Sequence, residues 1–211
     1  MPKLPQLTTM DLAALIASRV CHDIISPVGA MVNGLEVLKE EQSEDMREIA
    51  MDLISTSAAS AAAKLKFSRL AFGASGSAGA DINTGDAEEV VREFVAREKP
   101  ELTWSGARSL VPKNRVKLLL NLILVGLGAV PRGGTIDVVI EGEGADATLQ
   151  VTCTGPRARV PHEFVDMLNG TYEGEITPHA VQPYYTFLLA QETGLTLSAR
   201  LDGESVILAA R

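Results

Sequence analysis

The 211-residue chain carries three histidines, at positions 22, 162 and 179. His162 and His179 fall in proline-rich stretches that read as loops with no partner pattern, and both are expected to be ordinary surface imidazoles. His22 has a different setting. Asp23 follows it, Ser26 comes one helical turn later and Pro27 comes next, within a stretch whose apolar residues keep helical spacing. At about 100° per residue, His22 lies roughly 100° or more from the centre of that apolar seam, on the solvent side. An imidazole so placed can take up and release a phosphoryl group. That chemistry needs an exposed ring nitrogen, room for in-line attack and a tautomer whose reactive nitrogen carries no proton. Asp23 can bias the protonation of the ring, and the Ser26 hydroxyl can stand beside it. Pro27 removes a backbone hydrogen bond and crowds the preceding turn, so a kink is expected near Ile24 to Ser26. A lone exposed histidine would mean little; the order His-Asp-x-x-Ser-Pro is what sets His22 apart.

The element that must carry this cluster is a helix from about Met10 to Lys39, with Thr8 and Thr9 as candidate caps. Ile24, Val28, Met31, Leu35 and Leu38 form its seam, continued backwards by Cys21, Ala17, Ala14 and Met10. After a polar loop at Lys39 to Glu44, a second helix is expected from Ser43 to Phe72, with Met46, Ile49, Leu53, Ala61, Leu65 and Phe72 turned inward. Two such helices make an antiparallel hairpin, which cannot cover both apolar faces alone; a twofold homodimer closing into a four-helix bundle would. Gly73 to Ala80 (GASGSAGA) reads as a linker, giving a helical-hairpin domain over 1–78 and a second domain over 79–211. In the second domain, helices are expected at Ala87 to Glu98, Pro112 to Val130 and Tyr184 to Glu192. Strands are expected at Leu102 to Ser105, Thr135 to Glu141, Thr148 to Thr154, Leu195 to Arg200 and Ser205 to Ala209. The fold class is α+β, with helices on one face of a mixed sheet.

Composition removes several function classes. The net charge is −8 with no basic run, which argues against nucleic acid as a partner. Cys21 and Cys153, without metal-ligand spacing, read as free thiols in a reducing compartment, so no metal and no disulfide are expected. Met1 to Met10 lacks the apolar core of a signal peptide. The longest apolar stretch, taken as Val116 to Val130, is interrupted and too short to span a bilayer. A cytoplasmic protein with no membrane partner is the expectation.

The His22 segment, CHDIISP, followed by a loop and a second helix, resembles the H-box of the dimerisation and phosphotransfer domain of two-component histidine kinases. The segments around Asn121 and around PRGGTI at Pro131 resemble the N-box region of a kinase ATP-binding domain. The pattern's magnesium-ligating asparagine is replaced by Val125, and its following basic position by Gly128. Cys153 stands in the acidic position that binds adenine, and Gly155-Pro156-Arg157 replaces a glycine-x-glycine. The glycine-rich phosphate loop expected before Tyr184 is absent, with Val181-Gln182-Pro183 in its neighbourhood. A histidine-bearing hairpin fused to a degenerate histidine-kinase ATPase-like α/β sandwich is similar to the ChpT-type histidine phosphotransferases of alphaproteobacterial cell-cycle phosphorelays, over nearly the whole chain. That resemblance implies a phosphorylated His22 with Asp23 and Ser26 beside it, and no cofactor bound by this chain. It further implies a phosphoryl donor in the receiver domain of a CckA-type hybrid histidine kinase. The acceptors it implies are response regulators of CtrA and CpdR type, with Mg²⁺ supplied by the receiver. Two other readings stay open: a helical dimeric adaptor or inhibitor that docks on a kinase without carrying phosphate, and an active histidine kinase with unusual nucleotide boxes.

Overall fold

The computed structural model describes residues 5–40, 43–73 and 81–211. The first helix, α1, spans Thr9–Glu40. Thr8 caps it: its hydroxyl accepts from the Asp11 backbone N–H at 3.1 Å and donates to the Asp11 carboxylate at 2.6 Å. Helix α1 continues through Pro27, which is buried. The second helix, α2, spans Glu44–Ala71 and lies along α1.

The two helices meet through small residues. A side chain at Gly34 would put its Cβ 2.7 Å from Cγ1 of Ile54 and 3.2 Å from the Ala50 carbonyl. Ala50, Ser57 and Ala61 carry the same buried stripe along α2. This corrects the expected inward set: Ala61 is buried and Phe72 half-buried, but Met46, Ile49, Leu53 and Leu65 are exposed. The reason is steric. Close approach favours the small side chains, so the large ones sit on the hairpin's flank. On α1 the buried positions Pro27 and Gly34 lie one residue before the seam members Val28 and Leu35, which are exposed together with Met10, Ile25 and Val32. Among the described residues, α1 is also long and apolar enough to cross a membrane, by length and composition alone.

Beyond the hairpin the elements are β1 (Asp81–Asn83), α3 (Thr84–Val95), β2 (Glu101–Ser105), β3 (Leu110–Pro112), α4 (Lys113–Ala129), β4 (Thr135–Glu141), β5 (Thr148–Thr154), α5 (His162–Asn169), α6 (Val181–Thr193), β6 (Leu197–Asp202) and β7 (Ser205–Ala210). Among the described residues, five strands form a mixed sheet in the order β2-β4-β5-β7-β6, with β2 parallel to β4 and the other pairs antiparallel. Strict alternation gives the sheet one buried face. Ile136, Val138 and Ile140 lie opposite Cys153, Val151 and Leu149, which in turn face Val206, Leu208 and Ala210. Helix α4 packs on that face, its core side chains including Leu118, Leu119, Leu122 and Ile123. The α+β class and the mixed sheet hold.

Three elements were not expected: β1, β3 and α5, the last in a stretch read as loop. Helix α3 also starts earlier than Ala87, because Asn83 caps it by accepting from the Gly85 N–H at 2.8 Å. The expected linker lies, apart from Gly73, outside the described residues. The hairpin and the sheet domain nevertheless share a core. Phe67 of α2 stacks on Phe94 of α3 with ring centroids 4.2 Å apart, and Phe72 meets Tyr185 of α6 at 5.7 Å. Lys66 reaches both carboxylate oxygens of Glu93 at 2.9 Å.

Candidate functional site

His22 stands midway along α1 with its side chain 67% exposed. Its Nδ1 lies 3.4 Å from Oδ1 of Asp23. A carboxylate can only accept, so a hydrogen bond there requires the proton on Nδ1 and leaves Nε2 as the bare nitrogen. Asp23 is itself held: Nε of Arg19, one turn earlier, donates to its other oxygen at 3.0 Å. Arg19, Asp23 and His22 therefore form a short chain that fixes the carboxylate first and the imidazole through it. Arg19 was not singled out from the sequence, although an Arg–Asp pair at i, i+4 was readable there.

A second omission is His179. Read as a loop histidine without a partner, it comes from the segment before α6 and sets its ring edge-on to that of His22, with centroids 5.8 Å apart and planes at 77°. No local signal could have paired two residues so far apart in the chain. His162, also read as a loop residue, begins α5 and pairs with Asp166 at 3.1 Å. Ser26, expected beside the imidazole, makes no hydrogen bond to it among the described residues. It opens instead, with Pro27, onto a groove of about 670 Å³ lined by Asp52, Thr56 and Lys64 of α2 and by Arg97 after α3. On the other side of Asp23 a smaller cavity of about 280 Å³ is bounded by Arg19, Lys64, Glu98 and Gly128. Both cavities thus open at residues that neighbour His22 on α1.

The positions that carry nucleotide ligands in the kinase pattern are engaged in packing. Val125 and Cys153 are core residues. Cys153 Sγ lies against Gly126, where an added Cβ would come within 2.5 Å, and burial pushes its thiol up to about 12. Asn121 donates to the carbonyls of Ala71 and Lys117 at 3.2 and 2.9 Å. Val181-Gln182-Pro183 is no loop but the first turn of α6, where Gln182 donates to the Asn121 carbonyl at 2.8 Å. Arg157 occupies the left-handed region at φ 60°, where the pattern has a flexible glycine neighbourhood. Among the described residues, no group of three or more His, Cys, Asp or Glu is placed to hold a metal ion.

Comparison with known proteins identifies the family. The model of the family described as histidine phosphotransferase C-terminal domain matches residues 84–205. The chain is 51% identical over 205 residues to the protein phosphotransferase ChpT of Brucella abortus (strain 2308), covering 97% of each. A solved structure of a bacterial phosphotransferase is 48% identical over 98% of both chains, with a TM-score of 0.92. The histidine kinase AdeS of Acinetobacter baumannii superposes only weakly, with a TM-score of 0.44 at 12% identity over 90% of this chain and 95% of that one. The family match over residues 84–205 and the 51% identity along 97% of the chain place this chain in the histidine phosphotransferase family.

Proposed function

We propose that the chain is a phosphoryl carrier in a two-component phosphorelay, that Nε2 of His22 is the carrier atom, and that the chain neither binds nor uses ATP. The observation that carries this reading is the orientation of one ring: exposed, with Nδ1 turned to an arginine-held carboxylate and the other nitrogen free. In the forward step, Nε2 attacks the phosphorus of an aspartyl phosphate on a donor receiver domain. The Nε2–P bond forms as the P–O bond to the aspartate breaks, and the aspartate leaves as a carboxylate. The imidazole becomes cationic through phosphorylation, and the Asp23 carboxylate compensates the charge on its Nδ1 side. The reverse step hands the group to the aspartate of a second receiver. In-line transfer of this kind depends on positioning and on neutralising the phosphoryl oxygens. Mg²⁺ held by the receiver supplies the larger share, so this chain needs no cofactor of its own.

The roles divide along the chain. The hairpin, residues 1–78, carries the histidine, and residues 79–211 hold it and add docking surface. The exposed apolar flank of α1 and α2, with Val28, Val32 and Leu35 on one helix and Ile49, Leu53 and Leu65 on the other, supports a homodimer closed as a four-helix bundle. The same flank explains the apolar character of α1 without a bilayer and fits a cytoplasmic protein. The similarity to ChpT supports cell-cycle signalling as the setting. It also supports a CckA-type hybrid kinase as donor and regulators of CtrA and CpdR type as acceptors.

A relay assay tests the function. A purified receiver domain carrying radiolabelled aspartyl phosphate is mixed with an unlabelled second receiver, with and without this protein. Label is expected to reach the second receiver only when the protein is present, and without ATP. A second receiver that stays unlabelled, while the protein still binds both receivers, would favour the adaptor reading.

A further inference from the structure

The phosphorelay reading uses His22 and Asp23 but leaves unused a side chain that the sheet domain brings against the ring, His179. His179 is exposed, comes from the segment between α5 and α6, and packs edge-on against His22 at a centroid separation of 5.8 Å. The rings are in edge-to-face contact, so a group attached to the outer nitrogen of His22 comes within reach of the His179 ring once that side chain rotates aside. Because Nδ1 of His22 faces Asp23, any such group sits on Nε2.

We propose that His179 is a second binding residue for the phosphoryl group carried on His22, acting as a hydrogen-bond donor that is strongest when its imidazole is charged. This rests on His22 being the carrier. A phosphoryl group carries between one and two negative charges near neutrality, spread over three acceptor oxygens. An imidazolium within reach donates a charge-assisted hydrogen bond to them, and a neutral imidazole donates a weaker one. Other polar and charged groups surround the pair. Arg19 and Asp23 pair on α1; Lys64 of α2 and Glu98 after α3 line the cavity beside Asp23. Asp11 of α1 and Glu175 of the α5–α6 segment face one another across a separate groove. From α6, which packs on α1, Tyr185 contributes a phenol that burial, and then Glu192, push above its ordinary range, so it stays neutral. Between about pH 5 and 8 an imidazole changes charge, and so does a phosphoryl group, whose second proton leaves at about pH 6. His22 must be neutral to accept the group, whereas His179 helps most when protonated, so the two rings pull the pH dependence in opposite directions.

A donor without a docking surface separates this role from partner recognition. Phosphoramidate phosphorylates imidazole directly: the Nε2–P bond forms, the P–N bond breaks, and ammonia departs with the protons it carried. The full-length protein and its His179→Ala and His179→Lys variants are incubated with it, and phosphohistidine at position 22 is measured at equilibrium by mass spectrometry at pH 6 and pH 8. Taking each variant as a ratio to wild type at the same pH removes the pH dependence common to all three proteins, that of the donor and of the phosphoryl group included. The expected ratio for His179→Ala is roughly 2- to 5-fold below one at pH 6, the range of an exposed ion pair, and close to one at pH 8. For His179→Lys it is near one at pH 6 and above one at pH 8. A His179→Ala ratio of one at both pH values, or a deficit equal at both, overturns the inference while leaving the carrier role intact. Failure of the wild type to label at His22 overturns the carrier role, and this inference with it.

Discussion

An imidazole that must both accept and release a phosphoryl group has to be oriented without being buried or permanently charged. At the residue scale, the chain Arg19–Asp23–His22 does this. Arg19 fixes one oxygen of Asp23, and the other oxygen meets Nδ1 of His22. Asp23→Asn keeps the size of the side chain but removes the charge that steadies the phosphorylated ring. Transfer from a phosphorylated receiver is expected to slow by roughly 10-fold, measured by rapid-quench labelling, while the protein remains competent to be labelled. Unchanged rates would remove Asp23 from the account and leave His22 in it. Cys153 gives a second residue-level expectation. Buried beneath α4, with its thiol raised to about 12, it should resist alkylation at pH 8 until the protein is unfolded, as peptide mapping would show. The His-Asp-x-x-Ser-Pro order exposed His22 and Asp23 to inspection because both act within one helical turn. Ser26 lines the groove and makes no hydrogen bond to the ring among the described residues, and the order could not show His179, which only the tertiary fold brings there.

At the scale of elements, the hairpin depends on small residues where its helices cross. Gly34→Ala would press a methyl group against Ile54 Cγ1 and the Ala50 carbonyl, and backbone cannot move aside as a side-chain tip can. Destabilisation of about 1–3 kcal/mol is expected in chemical denaturation. On the opposite flank, Val28→Glu or Ile49→Glu should leave each hairpin folded but split a dimer into monomers, read by light scattering; an unchanged mass would refute the four-helix bundle. These two faces also mark how far periodicity could be trusted. The heptad spacing located both long helices to within a residue or two, but it ranked side chains by size. It therefore assigned the interior to Met46, Ile49, Leu53 and Leu65, where Gly34, Ala50, Ser57 and Ala61 make the contact. In the sheet domain, β4 and β5 were legible to the residue because alternation and β-branching coincide there. Strands β1 and β3, three residues each, are too short for a period to show. Helix α5 was hidden by the prolines before it, although Pro161 directly precedes its first turn.

At the scale of the whole molecule, the sheet domain is bound to the hairpin by the Phe67–Phe94 stack, the Lys66–Glu93 pair and the Asn121–Ala71 hydrogen bond. A kinase must swing such a domain toward its histidine to deliver a phosphate from ATP. A carrier served by outside receivers has no such need. Phe67→Ala should cost about 3–5 kcal/mol and loosen both parts together, since the ring lies in their common core. With Val125 and Cys153 where magnesium and adenine ligands would stand, calorimetric titration with Mg–ATP should give no binding tighter than about 1 mM. The central claim is narrower than any of these: the phosphoryl group rides on His22. The direct measurement incubates a labelled phospho-receiver with wild-type protein and with His22→Ala and His22→Gln, followed by acid and alkali treatment. The account predicts acid-labile, alkali-stable label on the wild type and none on either variant, with helix content unchanged because the ring faces solvent. Label retained at full level on both variants would contradict it.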